Sequence, residues 1–157
     1  MKDLIDQYEQ GSERVKAAIK GLSSADLRRV PDPAWNVGKW TIAQVLVHLQ
    51  DAETAFADRV RRIVAEENPT LQAWSENQFA ERLHYDDQSA EDAAALIDLT
   101  RKQLTRVLRK LPDSDFQRTG THSQAGRQTA ADVLGRAVWH LDHHLKFIID
   151  KRTKYGK

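Results

Sequence analysis

Apolar residues recur along this chain at intervals of three and four, the spacing that places side chains on one face of an α-helix. Nowhere do they alternate over the length of a strand. Four segments carry the pattern. The first runs from about Asp3 to Lys20, with Leu4, Tyr8, Val15, Ile19 and Leu22 on one side. The second starts at Thr41, which forms a capping box with Gln44 while Trp40 and Val45 hold the positions of a hydrophobic staple. Its stripe, from Ile42 through Leu49, Ala52, Phe56 and Val60 to Ile63, runs to a stop at Glu66-Glu67-Asn68-Pro69 and predicts the longest helix or nearly so. A third follows the cap pair Ser89 and Asp92, lines Ala93, Ile97, Leu104, Val107, Leu108 and Leu111 along one side, and ends at Pro112. The fourth begins at Thr129, with Asp132 as capping carboxylate, and continues to about Lys151 with Val133, Leu134, Ala137, Leu141, Leu145 and Ile148 inward.

Between them lie three connectors. Ser23 to Gly38 holds Pro31, Pro33, Trp35 and a helical turn; Thr70 to Gln88 carries Trp74, Phe79 and a short helix. Asp113 to Gln128 is rich in turn formers and reads as a loop, the most mobile part of the chain. The expectation is an all-α protein, a four-helix bundle forming one domain over residues 1–157 without internal repeats.

Composition narrows the function. With 40% hydrophobic residues in 157, roughly 70% of the unfolded surface can be buried, so stability alone demands no disulfide or structural metal. Lys and Arg number 24 against 23 Asp and Glu, a net charge of +1 that supplies no field for nucleic acid or an anionic membrane. There is no cysteine, which removes thiolate metal sites and cysteine nucleophiles together. The start, MKDLIDQYEQ, is acidic where a secretory signal is basic, and no apolar run spans a membrane; a soluble cytoplasmic protein is expected.

Metal ligands must then be His, Asp or Glu, and three of the six histidines fall in Trp139-His140-Leu141-Asp142-His143-His144. At 100° per residue, His140 and His144 are about 40° apart on the edge of the apolar stripe, while His143 turns about 60° the other way, outward. His48 occupies the matching edge of the second helix. Three imidazoles from two helices can face one cleft and leave coordination positions open, as catalytic rather than closed structural metal sites do. The competing reading is three packed core histidines.

Two motifs resemble the DinB and YfiT-like proteins, a family described as metal-dependent hydrolases. One is WNVGKWTIAQVLVHLQDAE, Trp35 to Glu53; the other is GTHSQAGRQTAADVLGRAVWHLDHH, Gly120 to His144, with its loop histidine, Gly-x-x-Thr helix start and H-x-x-H-H. The resemblance implies a four-helix bundle with a long crossover, often a homodimer, with His48, His140 and His144 holding one divalent metal per chain, zinc or nickel. It also implies a small-molecule substrate, with either hydrolysis or S-transfer from a low-molecular-weight thiol such as mycothiol or bacillithiol. A thiol cosubstrate would supply the nucleophile that the chain lacks. A non-catalytic bundle that binds a small molecule or a partner is the alternative.

Four further features carry expectations. Glu53 falls inside an apolar stripe, either as a buried hydrogen-bond partner tying helices together, the favoured reading, or as support for a histidine ligand. Asp51 reads as solvated. His122 could reach the cleft as a catalytic proton carrier, or remain a surface histidine. Trp139 should be covered by a dimer interface or by the long loops, and Arg101, Lys102, Arg106, Arg109 and Lys110 read as a solvated basic face.

Overall fold

The chain folds into α1 (Lys2–Ile19), α2 (Ser24–Arg28), α3 (Ile42–Ala65), α4 (Glu76–Arg82), α5 (Ala90–Leu108) and α6 (Ala130–Tyr155), in a computed structural model that describes residues 1–157. The long helices start where the capping residues place them. Thr41 Oγ1 accepts from Gln44 N at 3.1 Å and Gln44 Oε1 from Thr41 N at 2.8 Å. Ser89 and Thr129 do the same work for α5 and α6, each accepting from the backbone N–H three residues on. The last helix outruns its expected end at Lys151 and stops at Gly156, whose left-handed φ of 73° closes it.

Each of α1 and α3 packs against both α5 and α6, so α1 and α3 stand across from each other in the bundle, as do α5 and α6. The connections from α1 to α3 and from α5 to α6 therefore cross diagonally. No helix is long and apolar enough to cross a membrane.

The connector from Asp113 to Gln128, expected to be a loop, instead carries two short strands that pair with a third from the connector before α5. Thr70–Leu71 (β1), Thr119–His122 (β2) and Gly126–Thr129 (β3) form a three-stranded sheet in the order β1-β2-β3, the first pair parallel and the second antiparallel. Strands of two and four residues are too short to display a period of two, and backbone groups supply the pairing. Thr121 N donates to Pro69 O at 2.9 Å and Ser123 N to Leu71 O at 3.0 Å. Gly120 permits the approach: a Cβ there would lie 3.0 Å from Pro69 O and 3.1 Å from Ile63.

The interior divides into two apolar clusters. One gathers Ile42, Leu46, Ile97, Leu145 and Ile148; the other gathers Val60, Ile63, Leu104, Leu108, Phe116 and Leu134. Each fully buried aliphatic side chain contributes about 1.5–3 kcal/mol.

Between the clusters sits a polar network. Arg101 Nε and Nη2 donate to Glu53 Oε2 at 2.8 and 2.6 Å, Nη1 donates to Tyr8 O at 2.8 Å, and the Tyr8 hydroxyl donates to Glu53 Oε1. Glu53 thus ties helices together, as favoured. Arg101, however, is not part of a solvated face: it is 1% exposed, because it lies between Ile97 and Leu104 on the inward side of α5. Asp51 is also not simply solvated, since it accepts from the Tyr85 hydroxyl at 2.5 Å.

Candidate metal centre

Where α3 meets α6, His48 faces His140 and His144. His48 Nε2 lies 3.2 Å from His140 Nε2 and 3.1 Å from His144 Nε2, and the three candidate ligand atoms all fall within 4.8 Å of one another. Hydrogen bonding does not account for this convergence. His48 Nε2 either donates one proton or offers one lone pair, so it can satisfy only one of its two neighbours. A tetrahedral ion with metal–nitrogen bonds of 2.0–2.1 Å separates its ligands by about 3.3 Å, which matches the spacing found.

The rings are neutral, the form that binds metal. Burial lowers His48 to about 4, His140 to about 2 and His144 to about 3, with the neighbouring rings adding to the effect at the last two. His48 is 1% exposed, and its Nδ1 has no hydrogen-bond partner. Aromatic packing holds that ring instead, between Trp40 at 5.1 Å and Trp74 at 5.7 Å between centroids. His140 packs against Phe56 at 5.6 Å.

Two clefts open onto the cluster. The larger, about 540 Å³, is lined by His48, His140, Trp74, Arg59, Arg136 and His122 among others. The smaller, about 250 Å³, is bordered by Trp40, His144, Phe147 and Lys151. Glu76, the first residue of α4, lines both, with Oε2 at 3.9 Å from His48 Nε2. Lys151 is buried, forms no salt bridge, donates to Val37 O at 2.5 Å, and is lowered by burial to about 8, with the neighbouring Asp150 opposing the shift.

The three histidines that the helical spacing predicts to converge do come together. His143 points outward and stacks on Trp139 at 5.0 Å. The loops do not cover Trp139, which stays 48% exposed, with the Arg136 guanidinium 4.0 Å from its ring. His122 belongs to β2 and reaches the larger cleft.

Glu76, Arg59, Arg136 and Lys151 escaped the sequence reading as site residues. The helical wheel could have found the two arginines. Arg59 lies three turns beyond His48, about 20° away, and Arg136 one turn before His140, about 40° away. Glu76 had only the weak signal of a Ser75 cap ahead of it.

The chain belongs to the DinB superfamily, which it matches over residues 7–148. It is similar to a protein of Oceanobacillus iheyensis named "Putative metal-dependent hydrolase", 28% identical over 148 residues that cover 94% of this chain and 83% of that one. A protein of the same name from Bacillus mycoides is 27% identical, covering 98% of this chain and 88% of its own. Among solved structures, YfiT from Bacillus subtilis superposes with a TM-score of 0.87 at 25% identity, covering 99% of this chain and 87% of that chain. YfiT is described as a probable metal-dependent hydrolase with an unusual four-helix bundle topology. The relatives and the histidine cluster together support binding of a divalent metal.

Proposed function

We propose that the chain is a metal-dependent enzyme in which His48, His140 and His144 hold one divalent ion, zinc or nickel, for the activation of a nucleophile. The observation that carries this reading is the convergence of three neutral Nε2 atoms at ligand spacing. Bound by neutral imidazoles alone, such an ion keeps its full charge and open positions; it brings the pKa of a water toward ~7 and deprotonates a thiol.

The finer reading is transfer of a low-molecular-weight thiol to a small electrophile. Two clefts flanking the histidines favour it, because two reactants can approach from different sides. A thiol must come from outside, since the chain has no cysteine. Glu76 Oε2 is placed to take the proton that the nucleophile releases, and Trp40 and Trp74 keep His48 shielded from water. Hydrolysis, with water in place of the thiol, is the second reading, favoured by the names of the relatives.

Elemental mass spectrometry of untagged protein tests the site. We expect one ion per chain in the wild type and its loss in His48→Ala, His140→Ala and His144→Ala. A wild type that neither carries nor takes up zinc or nickel removes the reading. On loaded protein, thiol conjugation to monochlorobimane is then compared with hydrolysis of p-nitrophenyl acetate. Glu76→Gln should lower kcat for the active one by about 10²-fold at unchanged metal content. Ester hydrolysis without thiol conjugation would select the second reading.

A further inference from the structure

The larger cleft has a wall of hydrogen-bond donors that the chain uses only in part. Arg59 comes from α3 and Arg136 from α6. Arg59 is half-buried and spends one donor on Gln72 O at 2.7 Å; Arg136 lies over Trp139. No carboxylate forms a salt bridge with either arginine: Asp58, next to Arg59 in the chain, pairs with Arg62 at 2.9 Å, and Asp132, on the cleft wall, is held as the cap of α6 by Thr129 N at 2.9 Å. Arg59 is desolvated by its partial burial, which lowers its pKa, whereas Arg136 is exposed at the cleft rim, so one cation of the wall is held at a cost and the other is freely presented.

His122 adds a third donor from a third element. Its Nδ1 accepts the backbone N–H groups of Gln124 at 3.2 Å and Ala125 at 3.1 Å, in the tight turn between β2 and β3. Both bonds need a lone pair on Nδ1, so the ring proton sits on Nε2. His122 therefore presents a fixed N–H rather than a base. The remaining carboxylate of this cleft, Glu76, stands at the histidine side.

We infer that Arg59, Arg136 and His122 form an oxyanion subsite: the substrate carries a carboxylate or phosphate group that docks on this wall, with its reacting end toward the three histidines. Arginine forks fit either group, and the fixed imidazole N–H adds a directed bond. The direction of the reacting end rests on the proposed metal site; the subsite itself is built without it.

Calorimetric titration of the zinc-loaded and the metal-free protein, each with succinate, inorganic phosphate and the neutral analogue succinamide, tests the inference. We expect at least one anion to bind both forms, and succinamide to bind at least about tenfold more weakly. The stronger anion tells carboxylate from phosphate. Arg59→Gln and Arg136→Gln should each weaken that anion by about tenfold at unchanged zinc content, while Arg59→Lys keeps part of the affinity and controls for folding. Anion affinity equal in wild type and both glutamine variants, equal binding of succinamide, or no binding at all overturns the subsite. Anion binding confined to the zinc-loaded form and indifferent to the arginines places the anion on the ion, and overturns it too. A protein that binds the anion through its arginines but takes up no zinc keeps this inference and loses the metal site.

Discussion

Two polar clusters interrupt the apolar interior of this bundle, and they are built in opposite ways. In the Tyr8–Glu53–Arg101 cluster donors meet acceptors: a guanidinium faces a carboxylate, a hydroxyl takes its other oxygen, and a backbone carbonyl takes a further N–H. In the histidine cluster three like atoms point at one another and cannot satisfy themselves. The first is fully buried, the second has His48 buried and His140 and His144 half-buried, and both involve α3. The difference separates a closed polar group, which the folded chain needs for itself, from an open one, which is arranged for something that the chain does not contain.

The largest effect that sharpens this contrast is Arg101→Met. It leaves Glu53 as a buried carboxylate without its cation, which costs about 3–5 kcal/mol. The urea midpoint should fall accordingly, while the folded fraction still takes up one zinc per chain. Loss of zinc uptake from folded Arg101→Met would mean that the two clusters are not separable.

Gly11→Ala acts on the closed cluster from outside. An added Cβ would lie 1.9 Å from Arg101 Nη1 and 2.7 Å from Leu141 Cδ2, and Arg101 cannot swing aside without releasing Glu53. A destabilisation of about 1–3 kcal/mol is expected in chemical denaturation, again with zinc uptake intact.

The smallest effect belongs to the open cluster. The three histidines have native pKa values below the ~6.5 of the unfolded chain, so the unfolded state binds more protons as the solution is acidified. Their contribution to stability is full above pH ~6.5 and is lost as the pH falls toward the native values, near 4 for His48. Urea midpoints of the metal-free protein should therefore drop between pH 7 and 6. In His140→Ala the corresponding loss of unfolding free energy should shrink by roughly 0.5–1 kcal/mol. An unchanged pH slope would show that the rings are not held neutral by the fold.

Much of the site was legible because helices turn a linear spacing into a direction. With Thr41 and Thr129 fixing the helix starts, residue spacing alone puts His48, His140 and His144 on facing edges of α3 and α6. What it missed depended on relations that no single helix expresses. Arg101 was assigned to a polar face by its company of basic neighbours, although Ile97 and Leu104 on either side put it inward. The sheet rests on backbone pairing between β1 and β2, far apart in the chain, and leaves no side-chain rhythm. Glu76 reaches the histidines only because of where α4 docks. Arg59 and Arg136 had the right angles, but an arginine on a helix surface is ordinary until a cleft is seen beneath it.

The closed cluster also bears on how the bundle assembles. Tyr8 lies in α1, Glu53 in α3 and Arg101 in α5, and Arg101 Nη2 reaches Ala137 O of α6 at 3.4 Å. A partly docked chain that lacks α5 would hold a desolvated carboxylate without its cation, and one that lacks α3 would hold the cation without its carboxylate. Three-helix intermediates are raised in free energy by the same group that stabilises the complete bundle, so the four helices should dock and separate in a single cooperative step.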